Sequence, residues 1–153
     1  MDDQFDQVLL KVRPEFLPVR DRESALRVMA DEVAAFMPET GSAERVFADA
    51  WERELVESTY IGMGLAIPHA RVQGLQHAGL YAAFSPGGIP WPHEEARLIS
   101  LLIVPWEAPE LHLQLLSRLV RWRKHMTEAE ACALAESPEK LEESLNGAFF
   151  DLM

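Results

Sequence analysis

The chain has 153 residues, of which 48% are hydrophobic and 25% charged, and its formal net charge is −11. This size and balance fit one soluble domain, taken here as residues 1–153, with a sizeable core. The negative charge argues against nucleic-acid binding, because a protein that neutralises phosphates needs a basic surface. No apolar run approaches the roughly 20 residues that a membrane span needs.

The N-terminal residues and the cysteine content bear on the cellular compartment. The acidic, polar start of the chain does not resemble a secretory signal. The single cysteine, Cys132, excludes a disulfide or a multi-cysteine metal site within one chain. We therefore expect a cytoplasmic protein in which Cys132 acts as a small buried hydrophobe.

The N-terminal third predicts two helices. After Asp21, apolar residues recur at helical spacing, and Pro38 with Gly41 ends the pattern. Ser42 is placed to cap a second helix. The apolar stripes consist of Leu26, Met29, Val33, Phe36 and Met37 in the first helix, and of Val46, Phe47, Ala50 and Leu55 in the second.

Three strand candidates follow, at residues 65–67, 78–84 and 98–104. The last is an almost continuous apolar run, which is typical of a strand covered on both faces. Between the second and third candidates, residues 85–92 are dense in proline and glycine. Because proline has no backbone N–H to donate, this segment predicts a loop and excludes a central strand.

Helical patterns return in the C-terminal third. Thr127 with Glu130 forms a capping-box pattern, and Ser137 before Pro138 suits the start of a further helix. Before both, a third helix contains Leu111, Leu115, Leu116 and Leu119. Helices, then strands, then helices predict an α/β fold with a central mixed β-sheet flanked by helices on both faces.

Four basic residues cluster near the end of the third helix: Arg118, Arg121, Arg123 and Lys124. Such a cluster is either a solvated helix face or a contact for an anionic partner, and the sequence leaves both interpretations open.

His69 lies at a position in the sequence where its side chain can contact another molecule. His69 follows an apolar run that ends at Pro68. A neutral imidazole, with its ordinary pKa near ~6.5, is a nucleophile that can accept and pass on a phosphoryl group. That transfer needs neutralising charge, for which Arg53 and Arg71 are candidates, and Thr59 offers a hydroxyl donor. On spacing alone, however, a structural histidine at a strand end is the commoner case.

The other histidines differ in setting. His112 shares the apolar face of the third helix, so it is either a core histidine or close enough to His69 for the two imidazoles to share one pocket. We expect His77, His93 and His125 on the surface. The sequence has no helical histidine pair with metal-ligand spacing and no Gly-x-Ser-x-Gly elbow, so we expect no metal site, no cofactor and no serine-hydrolase chemistry.

Residues 58–71 read Ser-Thr-Tyr-Ile-Gly-Met-Gly-Leu-Ala-Ile-Pro-His-Ala-Arg. This segment resembles the active-site signature of the fructose/mannitol-type enzyme IIA domains of the bacterial phosphotransferase system. Their pattern is a threonine, a Gly-x-Gly-Ile-Ala-Ile-Pro-His core and a basic residue shortly after. An Arg-Glu pair at 53–54, Gly-Ile-Pro-Trp at 88–91 and Leu-His-Leu at 111–113 resemble further family features, so the likeness spans about residues 16–145.

The resemblance implies a phosphocarrier built on a mixed sheet with helices on both faces. His69 would accept a phosphoryl group from the histidine phosphocarrier protein and pass it to a cysteine or histidine of an enzyme IIB component. Arg53, Thr59 and His112 would match the family's supporting residues, while contact of Arg71 with the phosphoryl group stays open. The chain would be a free-standing subunit that inserts into no membrane.

A regulatory protein of the nitrogen-related type is the alternative. There, the phosphorylation state of His69 would control binding to partner proteins, because a phosphate adds roughly −1.5 to −2 charge at neutral pH. The sequence does not separate this alternative from sugar transport.

Overall fold

The structure, a computed structural model, describes residues 8–151. In this part of the chain, one mixed sheet contains β1 (Leu9–Val12), β2 (Tyr60–Gly62), β3 (Leu65–Ala66), β4 (His69–Val72), β5 (Gly79–Pro90) and β6 (Glu95–Pro105). The α-helices are α1 (Arg22–Phe36), α2 (Ala43–Val56), α3 (Pro109–Lys124), α4 (Glu128–Ala135) and α5 (Pro138–Asn146). A 3₁₀ turn (Pro38–Thr40) and a π-helical turn (Gly147–Asp151) complete the elements.

The predicted mixed sheet with helices on both faces is confirmed. Helices α1 and α2 cover one face through Leu26, Met29, Val33, Val46 and Phe47. Helices α3 and α5 cover the other through Leu111, Leu115, Leu119, Leu141 and Leu145. Leu101 and Leu102, adjacent in β6, lie in opposite core layers, as the alternation of side chains along a strand requires.

The sheet order places the segment with His69 along β6. The strands follow the order β1-β5-β6-β3-β2, and β4 pairs with β6 beyond the end of β3. Both β3 and β4 run parallel to β6, with Leu65 opposite Leu98 and His69 opposite Leu102. Pro68 lies between the two short strands and accepts a hydrogen bond from the backbone N–H of Leu102 at 2.9 Å. His69 therefore begins a new strand directly after a proline break.

Four predicted helix starts are confirmed by their caps. The side chains of Asp21, Ser42, Thr127 and Ser137 each accept a hydrogen bond from the backbone N–H three residues further on. The Glu130 carboxylate returns a bond to the backbone N–H of Thr127, which completes the capping box. These contacts are local, which explains why the sequence pattern alone predicts them.

The prediction of a loop at residues 85–92 was wrong for residues 85–90, because β5 continues as far as Pro90; Trp91 and Pro92 lie in the connection to β6. Within residues 8–151, β1 pairs only with residues 79–82 of β5, so the later half of β5 has β6 as its single strand neighbour. The β5–β6 register also shifts between Phe84 and Ile89. Pro86 and Pro90 are therefore tolerated, since a free strand edge requires no N–H donor there.

Cys132 is exposed, which corrects the expectation of a buried cysteine. It lies on α4, a helix in which no residue is buried. Because α4 lies on the outside of the fold, its run of small apolar residues does not enter the core.

The basic residues at the end of α3 differ in their exposure to solvent and in their hydrogen bonds. Arg123 is 4% exposed, donates to the Glu128 carboxylate at 2.6 Å and donates to the carbonyl of Met63 at 3.1 Å. This arginine ties α3 to α4 and to the β2–β3 turn, whereas Arg121 and Lys124 are exposed. None of the helices in residues 8–151 is both long and apolar enough to cross a membrane.

Candidate active site: a histidine pair between β4 and α3

His69 is the first residue of β4 and only 7% of it is exposed. Its register partner Leu102 belongs to the core layer under α3. Paired residues of neighbouring strands face the same side of a sheet, so the imidazole of His69 faces α3.

His112 lies in the first turn of α3 and meets His69. Leu115 and Leu119 share its helix face and pack on the sheet, which turns His112 inward. The two imidazole rings have centroids 4.1 Å apart and planes inclined by 42°. The prediction that these imidazoles share one pocket is confirmed.

The environment of His69 keeps its imidazole neutral. The pKa of His69 is lowered from 6.5 to about 4, chiefly by burial and then by His112, Arg53 and Arg71, while a hydrogen bond to Ile67 acts in the opposite direction. That bond joins Nδ1 to the Ile67 carbonyl oxygen over 3.4 Å. A carbonyl only accepts, so Nδ1 carries the proton and the lone pair lies on Nε2.

His112 is held in the same state. Burial lowers its pKa, and the positive charges of Arg71 and Arg53 lower it further. Its Nε2 atom is buried and has no hydrogen-bond partner within residues 8–151. An unpartnered buried polar atom costs roughly 1–3 kcal/mol, so this nitrogen gains from a hydrogen-bond partner that enters the pocket.

Two guanidinium groups supply positive charge near the imidazoles. Arg53 lies in the last turn of α2 and donates to the Glu57 carbonyl at 2.8 Å. Arg71 lies on β4, two residues after His69, with its guanidinium carbon 4.4 Å from the centroid of the Trp106 ring. The site thus joins two neutral imidazoles and two cations on a protein of net charge −11.

Thr59 holds the segment that leads to His69. Its hydroxyl donates to the Glu54 carboxylate at 2.6 Å, and its backbone N–H donates to the same carboxylate at 2.8 Å. Its carbonyl accepts from the N–H of Ile67 at 3.1 Å. The hydroxyl hydrogen is therefore bonded to Glu54 in this state.

Four large, exposed apolar side chains contact or lie near residues of this site in the chain, and we call them the apolar rim. Its members, with their exposed fractions, are Leu55 (58%), Val56 (83%), Trp106 (48%) and Leu113 (64%). Leu55 and Val56 follow Arg53 at the end of α2, Leu113 follows His112, and Trp106 stacks on Arg71. Exposed large apolar groups next to reactive groups mark a surface for a protein partner.

Residues 15–147 match the family described as "Phosphoenolpyruvate-dependent sugar phosphotransferase system, EIIA 2". The chain belongs to this enzyme IIA family. Membership supports a general role in phosphoryl transfer for sugar transport.

Several relatives and solved structures are similar to this enzyme IIA. "Multiphosphoryl transfer protein 2" of Escherichia coli is 28% identical over 80% of this chain, which spans 15% of that relative's length. The "PTS system fructose-specific EIIA component" of Haloferax volcanii is 33% identical over 61% of this chain and 63% of its own.

Two solved structures share the fold. The nitrogen regulatory protein IIA-Ntr of Neisseria meningitidis has a TM-score of 0.73 and 23% identity, covering 94% of this chain and 97% of its own. The complex of mannitol enzyme IIA with phosphorylated mannitol enzyme IIB of Escherichia coli has a TM-score of 0.69 and 20% identity, covering 93% and 95%.

Two residues of this enzyme IIA site have structural roles that sequence reasoning did not assign. Glu54 is 1% exposed and, besides Thr59, accepts from the Trp91 indole at 2.8 Å and lies 3.7 Å from an Arg22 nitrogen. A buried glutamate needs such partners, but the sequence shows only that it follows Arg53. Trp106 is the other residue, and its contact with Arg71 has no local sequence signal.

The remaining histidines lie outside this site. His93 and His125 are exposed, as expected, whereas His77 is half-buried. The surface prediction was wrong for His77, because its neighbours Leu75 and Ala78 are buried. Within residues 8–151 the structure has no group of three or more His, Cys, Asp or Glu side chains that could hold a metal ion.

A cavity of about 350 Å³ lies elsewhere, between the start of α4 and the β5–β6 hairpin. Its lining includes Met63, Trp122 and Cys132 but neither His69 nor His112. The histidine pair therefore lies outside this cavity.

Proposed function

We propose that this enzyme IIA is a phosphocarrier of the sugar phosphotransferase system, working in the cytoplasm. His69 accepts a phosphoryl group from the histidine phosphocarrier protein and passes it to an enzyme IIB component. The observation that carries the proposal is the pairing of a neutral His69 with His112, rings 4.1 Å apart, beside two guanidinium groups. A neutral acceptor imidazole next to fixed donors and cations is what phosphoryl transfer requires.

The lone pair on Nε2 of His69 attacks the phosphorus atom of the donor's phosphohistidine. The P–N bond of the donor breaks, and its electron pair returns to the donor's imidazole. The Nδ1 proton of His69 stays on the ring, bonded to the Ile67 carbonyl. In the second transfer a thiolate or imidazole of enzyme IIB attacks the same phosphorus, and the electron pair of the broken N–P bond returns to Nε2.

The neighbouring residues act on the transferred group. The unpartnered Nε2 of His112, in its protonated tautomer, donates to a phosphoryl oxygen. Arg53 contributes positive charge as negative charge shifts between donor and acceptor. Thr59 keeps the segment before His69 in place through Glu54 and Ile67.

The apolar rim offers a docking surface for both protein partners. A complex of enzyme IIA with phosphorylated enzyme IIB is known for the similar mannitol proteins. Leu113 and Val56 are 64% and 83% exposed, and covering them in a complex would contribute apolar burial. This placement supports an enzyme IIB partner for the present chain.

The alternative is a regulatory enzyme IIA in which phosphorylated His69 is a switch. One similar protein is a regulator by name, the transcriptional regulator ManR of Bacillus subtilis, which is 30% identical over 74% of this chain. This similarity supports the regulatory alternative. A phosphate beside the apolar rim would add roughly −1.5 to −2 charge to a surface that otherwise offers apolar groups and two arginines.

The test is incubation with the general phosphotransferase proteins and labelled phosphoenolpyruvate. We expect label on the wild type and none on His69→Ala; unlabelled wild type, or label retained by the variant, contradicts the proposal. Adding enzyme IIB components of fructose and mannitol type then tests the destination. Loss of label to one of them supports the carrier, and label that stays on the chain favours the switch.

A further inference from the structure

We propose that Arg71 is a further phosphoryl-binding residue of this site, besides His112 and Arg53, and that Trp106 is the residue that positions it. The inference rests on the proposed phosphorylation of His69 and adds a residue and a contact to it.

The register of β4 places Arg71 on the same side of the sheet as His69. His69 pairs with Leu102 and Arg71 with Val104, and both partners belong to the core layer under α3. Alternate residues of a strand share a face about 7 Å apart, a distance that the arginine side chain easily spans. His112 approaches from α3 on that face.

The Arg71 guanidinium is held without an acidic partner. It stacks over the Trp106 ring at 4.4 Å, a contact that uses its flat face and leaves N–H donors at its edge. Within residues 8–151 no carboxylate lies within 4.0 Å of it, and its Nε atom is buried without a hydrogen-bond partner. The nearby Asp49 carboxylate bonds the backbone N–H of Arg71 instead, at 2.6 Å.

The charge of Arg71 reaches both imidazoles. It lowers the pKa of His69 and the pKa of His112, and for His112 it acts more strongly than Arg53 does. Arg53 already gives one N–H to the Glu57 carbonyl. Arg71 therefore has unused donors, which a dianionic phosphoryl group on His69 would use.

Trp106 sets the orientation of these donors. It is 48% exposed, and the guanidinium carbon lies 4.4 Å from its ring centroid, a contact that limits where the arginine can turn. Its backbone N–H is bonded to the Val72 carbonyl at 2.8 Å, which fixes it to the end of β4. The indole thus restricts a long, flexible cation in advance, so less side-chain entropy is lost when the arginine binds a phosphoryl group.

The experiment compares Arg71→Gln, Arg71→Lys and Trp106→Leu with Arg97→Gln, which removes the same charge from an exposed position on β6. The donor is phosphoramidate, whose P–N bond breaks as ammonia leaves and the phosphoryl group joins Nε2 of His69. This small donor reports on the site without protein docking. The rate of phosphohistidine formation is followed by ³¹P NMR, and the imidazole pKa values are followed by ¹⁵N NMR.

We expect Arg71→Gln to slow phosphorylation at least tenfold and to raise the pKa of both imidazoles. Arg71→Lys should retain part of the rate, because it keeps the charge but loses the planar guanidinium group. The phosphorylation rate of Trp106→Leu should lie between the rates of wild type and Arg71→Gln. Arg97→Gln should match wild type in rate and in both pKa values.

The outcomes separate the inference from the proposed function. If wild type is phosphorylated on His69 and Arg71→Gln matches its rate within twofold, Arg71 does not bind the phosphoryl group, while the carrier function stands. If wild type is labelled on His69 neither by phosphoramidate nor by the protein donor, the proposed function fails and the inference fails with it.

Discussion

The imidazole of His69, at the start of β4, lies against the imidazole of His112, in the first turn of α3, with ring centroids 4.1 Å apart. Two adjacent imidazolium ions would repel each other, and both pKa values are lowered, so the pair is neutral at pH 7. The proximity places an unpartnered ring nitrogen of His112 next to the proposed acceptor.

Replacement of His112 by alanine should slow phosphorylation of His69 about 10- to 100-fold, since one donor to the phosphoryl oxygens is lost. It should also raise the pKa of His69, because His112 is the second largest cause of its lowering. Labelling rates and NMR titration measure both effects, with His93→Ala, an exposed histidine, as the control. A rate equal to wild type would remove His112 from the chemistry.

Glu54→Gln should lower the free energy of unfolding by roughly 2–4 kcal/mol. The buried carboxylate accepts hydrogen bonds from Thr59 and from the Trp91 indole. A glutamine would replace one of its acceptor oxygens by an NH₂ group, which would face these N–H and O–H donors. Urea unfolding measures the change, with Glu52→Gln on the exposed side of α2 as the matched control. Equal midpoints for the two variants would contradict the assigned role of Glu54.

The free energy of unfolding should depend on pH through the titration of His69. Its pKa is about 4 in the folded protein and 6.5 as the reference value, so the unfolded chain takes up the proton first as pH falls. The stabilisation is present above about pH 6.5 and is lost as pH falls to about 4. We expect His69→Gln to lose less stability than wild type over this window, by roughly 2–3 kcal/mol.

Urea unfolding at a series of pH values measures this difference, and carboxyl groups that titrate in both proteins cancel in the comparison. Parallel stability curves for wild type and His69→Gln would show that His69 is not held neutral by the fold.

Leu113→Gln should weaken phosphorylation by the protein donor while leaving phosphorylation by phosphoramidate unchanged. Leu113 is 64% exposed beside His112, so its apolar surface is available to a partner but adds little to the fold. The ratio of the two rates, measured on the same preparation, separates docking from chemistry. A fall in both rates would mean that the substitution disturbs the histidine pair itself.

Sequence reasoning predicted the parts of the fold that depend on near neighbours. The capping bonds of Asp21, Ser42 and Thr127 join residues three apart, so their pattern is visible in the chain. The closeness of His112 to His69 followed from a helix face that had to meet the sheet. The caps depend on residue types three positions apart, and the helix face depends on hydrophobic periodicity. Neither depends on the details of packing.

Other features depend on distant partners and were not predicted. Strands β1, β2 and β4 have four residues or fewer, too few to show an alternating pattern. Pro86 is tolerated in β5 because β1 ends early, and Glu54 is buried because Trp91 reaches it from the β5–β6 hairpin. In each case a contact between remote segments overrides the local signal.

Phosphorylation of His69 is tested most directly by locating the phosphoryl group after incubation with phosphoenolpyruvate and the general phosphotransferase proteins. We expect one acid-labile, base-stable phosphohistidine at Nε2 of His69, seen by ³¹P NMR and by mass spectrometry of peptides, and its absence in His69→Ala. A phosphoryl group found on His112 or elsewhere, or retained in His69→Ala, would contradict this expectation.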